Sequence, residues 1–141
     1  MNTTKVLIDS GPLVAMMSDR DAHHALCVAQ SRQLSRTLYT CWPVVTEAAH
    51  LLKRTHGAID GLLYSIRDGK LVIVPLTDVD VGDIGVILRT YRDQGFDFAD
   101  ACLMHLSERE GIDSVFTIDH RHFSVFRKRD GKPLTLLPSV A

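Results

Sequence analysis

Hydrophobic and polar positions divide the chain into two kinds of segment. Short runs that are apolar throughout are typical of strands buried on both faces of a parallel sheet. Longer segments with apolar residues three and four positions apart are typical of helices that bury one face. The predicted strands are Lys5–Ile8, Thr37–Cys41, Leu71–Pro75, Ser114–Ile118 and, at an edge between two prolines, Leu134–Leu137. The predicted helices run from Pro12 to about Met17, over Asp21–Leu34, from Pro43 to about Lys53, and over Ala58–Arg67, Val79–Arg92 and Asp97–Arg109.

This alternation predicts an α/β fold in which a mainly parallel central sheet of four to five strands is flanked by helices. The chain has 141 residues and no linker or low-complexity segment, so we expect residues 1–141 to form a single domain with its own core. Sites in such folds form beyond the carboxyl ends of the strands. Asp9 and Asp119 each directly follow a predicted strand, so both should reach the same rim of the sheet.

The charge of the chain leaves the kind of partner open. A formal net charge of −1 excludes a generic polyanion binder. Two local basic runs follow candidate acids, namely Lys53, Arg54 and His56 after Glu47, and His120, Arg121, His122, Arg127, Lys128 and Arg129 after Asp119. Each run is either a solvated face or a contact for a phosphate backbone.

The cysteines and the apolar segments bear on the compartment. Cys27, Cys41 and Cys102 are odd in number and lack CxxC spacing, which disfavours disulfides and a cysteine zinc site and fits a reducing cytoplasm. Met1–Lys5 leads straight into the first strand without the apolar region of a signal peptide. No apolar run approaches the ~20 residues of a membrane helix, so we expect no membrane segment.

Five acids are the candidate chemistry: Asp9, Glu47, Asp97, Asp100 and Asp119. Taken singly, four of them are explained as turn, cap or exposed helix residues. Asp100 lies inside a helix in a mostly apolar segment, where an unpaired carboxylate is costly to bury. Several carboxylates in one cleft repel each other and need a cation, and all-oxygen ligands suit Mg²⁺ or Mn²⁺ rather than zinc. Such an ion with open coordination positions indicates phosphate chemistry.

Other polar and aromatic residues favour structural interpretations. Ser10 has no paired histidine of the kind that a nucleophilic serine needs, and His23 and His24 occupy an ordinary polar helix start. Trp42 and Tyr39 could stack a base, but packing near the second strand is the preferred interpretation. Cys102 lies on the apolar face of its helix and is expected in the core.

Four segments in this order give the chain a family resemblance. They are Val6-Leu7-Ile8-Asp9-Ser10-Gly11-Pro12-Leu13-Val14-Ala15, Val45-Thr46-Glu47-Ala48-Ala49, Phe96-Asp97-Phe98-Ala99-Asp100-Ala101 and Phe116-Thr117-Ile118-Asp119-His120-Arg121-His122-Phe123, followed by Leu136-Leu137-Pro138. Over nearly its full length the chain resembles the PIN-domain family, and within it the VapC-type toxins of toxin–antitoxin pairs. The resemblance implies a parallel sheet between helices, Mg²⁺ or Mn²⁺ dependence, RNA cleavage, a homodimer, and a cognate antitoxin that blocks the cleft.

The resemblance also assigns roles residue by residue. The catalytic, metal-binding acids carry over to Asp9, Glu47, Asp100 and Asp119, and Asp97 matches an additional metal-site acid. Ser10 matches a small polar position near the first acid, where it would contact RNA, and the neighbouring His120 and Arg121 could orient the RNA backbone. His122 departs from the pattern, because many relatives carry another acid there.

Three other functions are alternatives to a metal-dependent endoribonuclease. One is a catalytically degenerate PIN-fold module that binds RNA or protein, which the presence of all four acids disfavours. A phosphoacceptor domain would want paired acids near the first strand and a late lysine, and a phosphatase with an Asp nucleophile would want Asp-x-Asp. Asp9-Ser10-Gly11 supplies neither pattern.

Overall fold

Five short parallel strands form the central sheet of the computed structural model, which describes residues 5–34 and 36–139. The strands are β1 (Val6–Ile8), β2 (Leu38–Thr40), β3 (Leu71–Ile73), β4 (Ser114–Phe116) and β5 (Thr135–Leu137). Their order across the sheet is β3-β2-β1-β4-β5. The predicted α/β class, the parallel sheet and the edge position of the last strand are confirmed. The prediction for Met1–Lys5 falls almost entirely outside the described residues.

The central strand and its neighbour create the rim that carries the candidate acids. All three residues of β1 are buried, and Leu7 pairs with Tyr39 on one side and Val115 on the other. The chain builds the sheet outward from β1 through β2 to β3, then returns to the other side of β1 as β4. The carboxyl ends of β1 and β4 therefore meet where the winding direction reverses, and this is where ligands bind in open α/β sheets.

Seven helices surround the sheet in the described part of the chain. They are α1 (Ser10–Met17), α2 (His24–Leu34), α3 (Trp42–Leu51), α4 (Ala58–Arg67), α5 (Val81–Thr90), α6 (Phe98–Glu110) and α7 (His120–Val125). Helix α1 packs against α2, α3 and α4, while α6 packs against α3, α5 and α7. None of the helices in the described residues is long and apolar enough to cross a membrane.

Helix α6 is buried around its whole circumference. Its apolar spacing predicts a single buried face, yet every residue from 99 to 107 is buried, because other helices cover it on several sides. The burial includes Asp100, His105 and Ser107. Cys102 is a core thiol as predicted, and Cys27 and Cys41 are likewise buried free thiols. The inaccessible position of Asp100 thus follows from the central place of its helix.

Asp80, a buried acid that is not among the five candidates, takes part in a structural hydrogen-bond network. Asp80 caps the turn before α5 and accepts hydrogen bonds from the Thr77 amide at 2.8 Å and from Arg109 Nη1 at 2.9 Å. Nε2 of the buried His105 lies 2.8 Å from the same carboxylate. These hydrogen bonds hold the pKa of Asp80 well below its usual range, the Thr77 amide contributing most. The network fastens the start of α5 to α6.

Several boundaries differ from the predictions for identifiable reasons. Helix α1 begins at Ser10 rather than Pro12, because Asp9 serves as its N-cap. Strand β3 is parallel but lies at the sheet edge, so only Leu71 is fully buried. Helix α7 was not predicted, since its sequence reads as a basic run. Asp119 caps it with a hydrogen bond accepted from the His122 amide at 3.3 Å.

Candidate functional site

All five predicted acids line one small cleft at the carboxyl end of β1. The cleft has a volume of about 270 Å³. Its walls are Asp9, Ser10, Gly11, Glu47, Leu51, Asp97, Asp100, Ile118, Asp119 and His122. Three of the acids are also helix N-caps, namely Asp9 for α1, Asp97 for α6 and Asp119 for α7. The capping and the functional interpretations therefore describe the same residues.

Asp9 is held in a fixed orientation at the back of the cleft. Its side chain is buried, and its two oxygens accept hydrogen bonds from the Ser10 amide at 2.8 Å and the Thr117 hydroxyl at 3.0 Å. The Thr117 oxygen in turn accepts a hydrogen bond from the Asp119 amide at 3.0 Å. Thr117 thus couples the position of Asp9 to the start of the Asp119 segment.

Glu47 reaches the cleft from the middle of α3. The Ser10 hydroxyl donates a hydrogen bond to its Oε1 atom. Ser10 is buried in the first turn of α1, and α1 packs beside α3. The hydrogen bond therefore fixes the position of the Glu47 carboxylate. Gly11 allows Ile118 on the opposite wall of the cleft to approach α1, since a Cβ atom at position 11 would lie 2.7 Å from Cγ1 of Ile118.

Asp97 and Asp100 form a capping box at the start of α6. The Asp100 amide donates to Asp97 Oδ1 at 2.8 Å, and the Asp97 amide donates to Asp100 Oδ2 at 3.2 Å. These contacts satisfy one oxygen of each side chain and place both carboxylates at the same end of the helix. The positive end of the α6 dipole moderates their mutual repulsion.

His122 stands between two of the acids. Its Nδ1 atom lies 2.8 Å from Asp119 Oδ2 and 3.5 Å from Asp100 Oδ2. The angles do not make a hydrogen bond, and this buried nitrogen has no hydrogen-bond partner in the described part of the chain. The ring of Phe96 contacts the imidazole edge to face, with the ring centres 5.7 Å apart. The imidazole is thus held beside the acids at the position that departs from the family pattern.

The cleft disfavours ionised carboxylates. Burial, together with the negative charges of Glu47 and Asp97, raises the pKa of Asp9 to about 6. Burial and the charges of Asp9 and Asp97 raise the pKa of Asp100 to about 8. Burial also raises the pKa of Glu47. A positive charge placed among these oxygens would reverse the effect, so the electrostatics of the cleft favour a bound cation.

The side chains do not form a finished metal cage. Among the described residues, no three His, Cys, Asp or Glu side chains are arranged as a ready coordination set. The donors fit a hard ion in chemistry, since they are carboxylate oxygens. To coordinate an ion, the carboxylate side chains of the cleft would have to move closer together around it.

The three residues predicted to contact RNA lie in different positions relative to the acids. Ser10 lines the cleft. His120 faces away, because its Nε2 atom lies 3.0 Å from the Thr117 carbonyl and its ring lines a neighbouring cavity with Ile118. Arg121 is exposed on α7. Later in the same basic run, Lys128 pairs with Asp113 at 2.6 Å, so that part of the run serves the fold.

One interpretation from the sequence is wrong, and one residue was missed. Trp42 does not pack near β2, because its side chain is 54% exposed at the first position of α3. Tyr39 is half-buried, as expected, beneath the ammonium of Lys5. Thr117 was missed as the residue that orients Asp9. Its only sequence signal is its place two residues before Asp119.

Comparison with known proteins gives one consistent family. The PIN-domain family model matches residues 6–130. Ribonuclease VapC26 of Mycobacterium tuberculosis is 26% identical over 136 residues, which cover 94% of this chain and all of that protein. The crystal structure of VapC20 from the same organism, a sarcin-ricin loop cleaving toxin, matches with a TM-score of 0.74 and 18% identity over 84% of this chain and 92% of that chain. A 72-residue segment is 33% identical to mouse proline-, glutamic acid- and leucine-rich protein 1 but covers 6% of it, which carries no functional argument.

Proposed function

This chain belongs to the PIN-domain family, and we propose that it is a divalent-metal-dependent endoribonuclease, the toxin of a VapBC-type toxin–antitoxin pair. The observation that carries the proposal is the convergence of Asp9, Glu47, Asp97, Asp100 and Asp119 on one cleft. Full-length similarity to a curated ribonuclease of the VapC type supports the choice of RNA as the substrate.

The acids divide into two groups by their position. Asp9, Asp100 and Asp119 would hold the principal Mg²⁺ or Mn²⁺, because they follow β1, open α6 and follow β4 around the switch point of the sheet. Glu47 and Asp97 would contact the ion through water or position a second one. When bound, such an ion lowers the pKa of a coordinated water and neutralises charge that develops on the phosphate.

The remaining side chains of the cleft orient these acids. The Thr117 hydroxyl fixes one oxygen of Asp9, and the Ser10 hydroxyl fixes one oxygen of Glu47. Both hydroxyls therefore fix the orientation of these two carboxylates in the cleft. Arg121, exposed on the helix that Asp119 caps, would contact the RNA backbone, and we assign His120 a weaker share because it faces the adjacent cavity.

An antitoxin would silence the enzyme by occupying the same cleft. An inserted arginine suits clustered carboxylates, because its planar fork donates two parallel hydrogen bonds to one carboxylate. Its positive charge would stabilise the ionised forms of Asp9 and Asp100, whose pKa values are raised in the cleft. The homodimer that the family resemblance implies stays a prediction, which sedimentation of the purified chain would test.

Cleavage of a structured RNA by the purified, antitoxin-free protein tests the proposal. We expect cutting with Mg²⁺ or Mn²⁺, none after EDTA, and recovery when the ion is restored. Asp9→Asn and Asp100→Asn should abolish cutting, whereas Asp19→Asn, which removes an exposed acid outside the cleft, should leave it unchanged. Cutting that persists in EDTA would reject the metal mechanism, and equal activity of all three variants would reject the site.

A further inference from the structure

A second, wider cavity opens beside the acidic cleft, and we name it the aromatic groove. It is lined by Trp42, Pro43, Glu47, His50, Asp97 and Phe98, among others, and has a volume of about 680 Å³. Glu47 and Asp97 line both cavities. A molecule seated in the aromatic groove would therefore touch the edge of the acidic cleft.

The two aromatic residues of this groove have no evident structural duty. Trp42 is 54% exposed and Phe98 is 56% exposed. Each is the first residue of its helix, α3 or α6, where the fold requires no aromatic side chain. In the described residues three aromatic side chains are more than half exposed, and these two, unlike Tyr64, lie in one groove. Large apolar side chains left in water together commonly mark a binding surface.

The position of both rings is tied to the acids by the helices that carry them. Trp42 opens α3, which carries Glu47, and Phe98 follows the cap residue Asp97 and precedes Asp100. Helices α3 and α6 also pack against each other. The rings are therefore fixed relative to the acidic cleft by two packed helices rather than by mobile loops.

The charges of the groove select the part of a nucleic acid that can enter it. Glu47 and Asp97 at its edge repel a phosphate, and His50 is the one basic side chain of its lining. An unpaired nucleobase is neutral, stacks on aromatic rings, and carries N–H groups that can donate to carboxylates. A protein partner that lacked donors for the two carboxylates would bury them away from water at a cost.

We propose that Trp42 and Phe98 stack an unpaired base of the substrate, next to the phosphodiester that is cut in the acidic cleft. The inference rests on the proposed ribonuclease function, which supplies the RNA. It makes the aromatic groove a subsite for a single-stranded nucleotide, so the enzyme would cut in loops rather than within paired stems. Base stacking of this kind tolerates different bases, because each one has an aromatic face.

Trp42 is the only tryptophan of the chain, so its fluorescence reports on the groove directly. The probes are a short single-stranded RNA and an abasic oligonucleotide with the same length and charge, both added in EDTA so that no cleavage occurs. We expect the RNA to quench the fluorescence and the abasic chain to leave it unchanged. Binding of a labelled RNA should weaken roughly 5- to 150-fold in Trp42→Leu and Phe98→Leu. Trp42→Phe should retain most of the affinity, and Tyr64→Leu is the exposed aromatic control.

The kinetic test separates this inference from the proposed function. With Mn²⁺ present, Trp42→Leu should raise KM with kcat largely unchanged, because stacking binds substrate and transition state alike. Metal-dependent cutting with an unchanged KM and no quenching would overturn the stacking subsite and leave the ribonuclease standing. Quenching by RNA without any cutting would overturn the ribonuclease function and leave the stacking subsite standing. Fluorescence that depends on protein concentration alone, with altered sedimentation of Trp42→Leu, would show that the groove joins two copies and would overturn the inference.

Discussion

Replacing Asp100 with asparagine should stabilise the metal-free protein. The carboxylate is buried at the start of α6, and burial and the charges of Asp9 and Asp97 raise its pKa from 3.8 to about 8. An acid with a raised folded-state pKa contributes stability that is fully present below about pH 4 and is lost as the pH rises through 8. Asparagine carries no charge to repel, and its Oδ1 atom can still accept the hydrogen bond from the Asp97 amide.

The size of the effect follows from the pKa difference. Each pKa unit corresponds to about 1.4 kcal/mol, so the Asp100 shift sets an upper limit of about 6 kcal/mol. Asp9 shares the repulsion and can take up a proton instead, and asparagine loses the favourable interaction of a charge with the helix dipole. We therefore expect a gain of about 2 kcal/mol at alkaline pH, or about 6–10 °C in Tm for a chain of this length.

Thermal unfolding in EDTA at about pH 5 and about pH 8.5 measures this gain. The Tm of Asp100→Asn should clearly exceed that of the wild type at the higher pH, and by much less at the lower pH. Saturating Mg²⁺ should reverse the order, because an ion that binds only the folded wild type stabilises it. Asp19→Asn, at an exposed turn position, should show neither change. If Asp100→Asn is the less stable protein at high pH without metal, the carboxylate is structural and the electrostatic reasoning fails.

Three further predictions test other contacts of the site and the fold. His122→Asp adds a sixth carboxylate to the cleft, next to Asp100 and Asp119, so it should lower the metal-free Tm and tighten Mg²⁺ binding in calorimetry; unchanged affinity would place His122 outside the metal site. Asp80→Asn removes the negative charge that the Thr77 amide and Arg109 stabilise and should lower Tm without changing the kcat of the folded enzyme, and a higher Tm would contradict that role. Added Mg²⁺ at constant ionic strength should weaken binding of the antitoxin in an equilibrium titration, and indifference to Mg²⁺ would place the antitoxin outside the cleft.

Local signals in the sequence were sufficient for the sheet and for two of the acids at its rim. The apolar runs predict all five strands, and the rule that sites form at their carboxyl ends brings Asp9 and Asp119 together from the sequence alone. Glu47, Asp97 and Asp100 are placed at the cleft by packing of α3 and α6, which periodicity alone does not define. Their assignment depended on the family resemblance.

The missed features depend on contacts between distant segments. Trp42 was expected to pack near the second strand, yet its position at the first turn of α3 directs it outward. Helix α7 is short and begins with three polar residues, so its pattern resembles a loop until Asp119 caps it. Thr117 has no motif of its own, because its role comes from a hydrogen bond across 108 residues of sequence.

The electrostatics of the cleft bear on whether the chain is an enzyme or a degenerate binding module. A module that only bound RNA or protein would have no use for Asp9 and Asp100 in their present state, since burial makes both costly to ionise. Substitution of either by asparagine would relieve that cost, and destabilising arrangements of this kind are characteristic of sites whose function needs them. The opposite is true of Asp80, whose carboxylate is buried with donors on several sides and whose pKa is lowered. The same fold can thus stabilise the charge of a buried acid where structure alone is at stake, and it leaves the pKa of Asp9 and Asp100 raised where a cation is expected to bind.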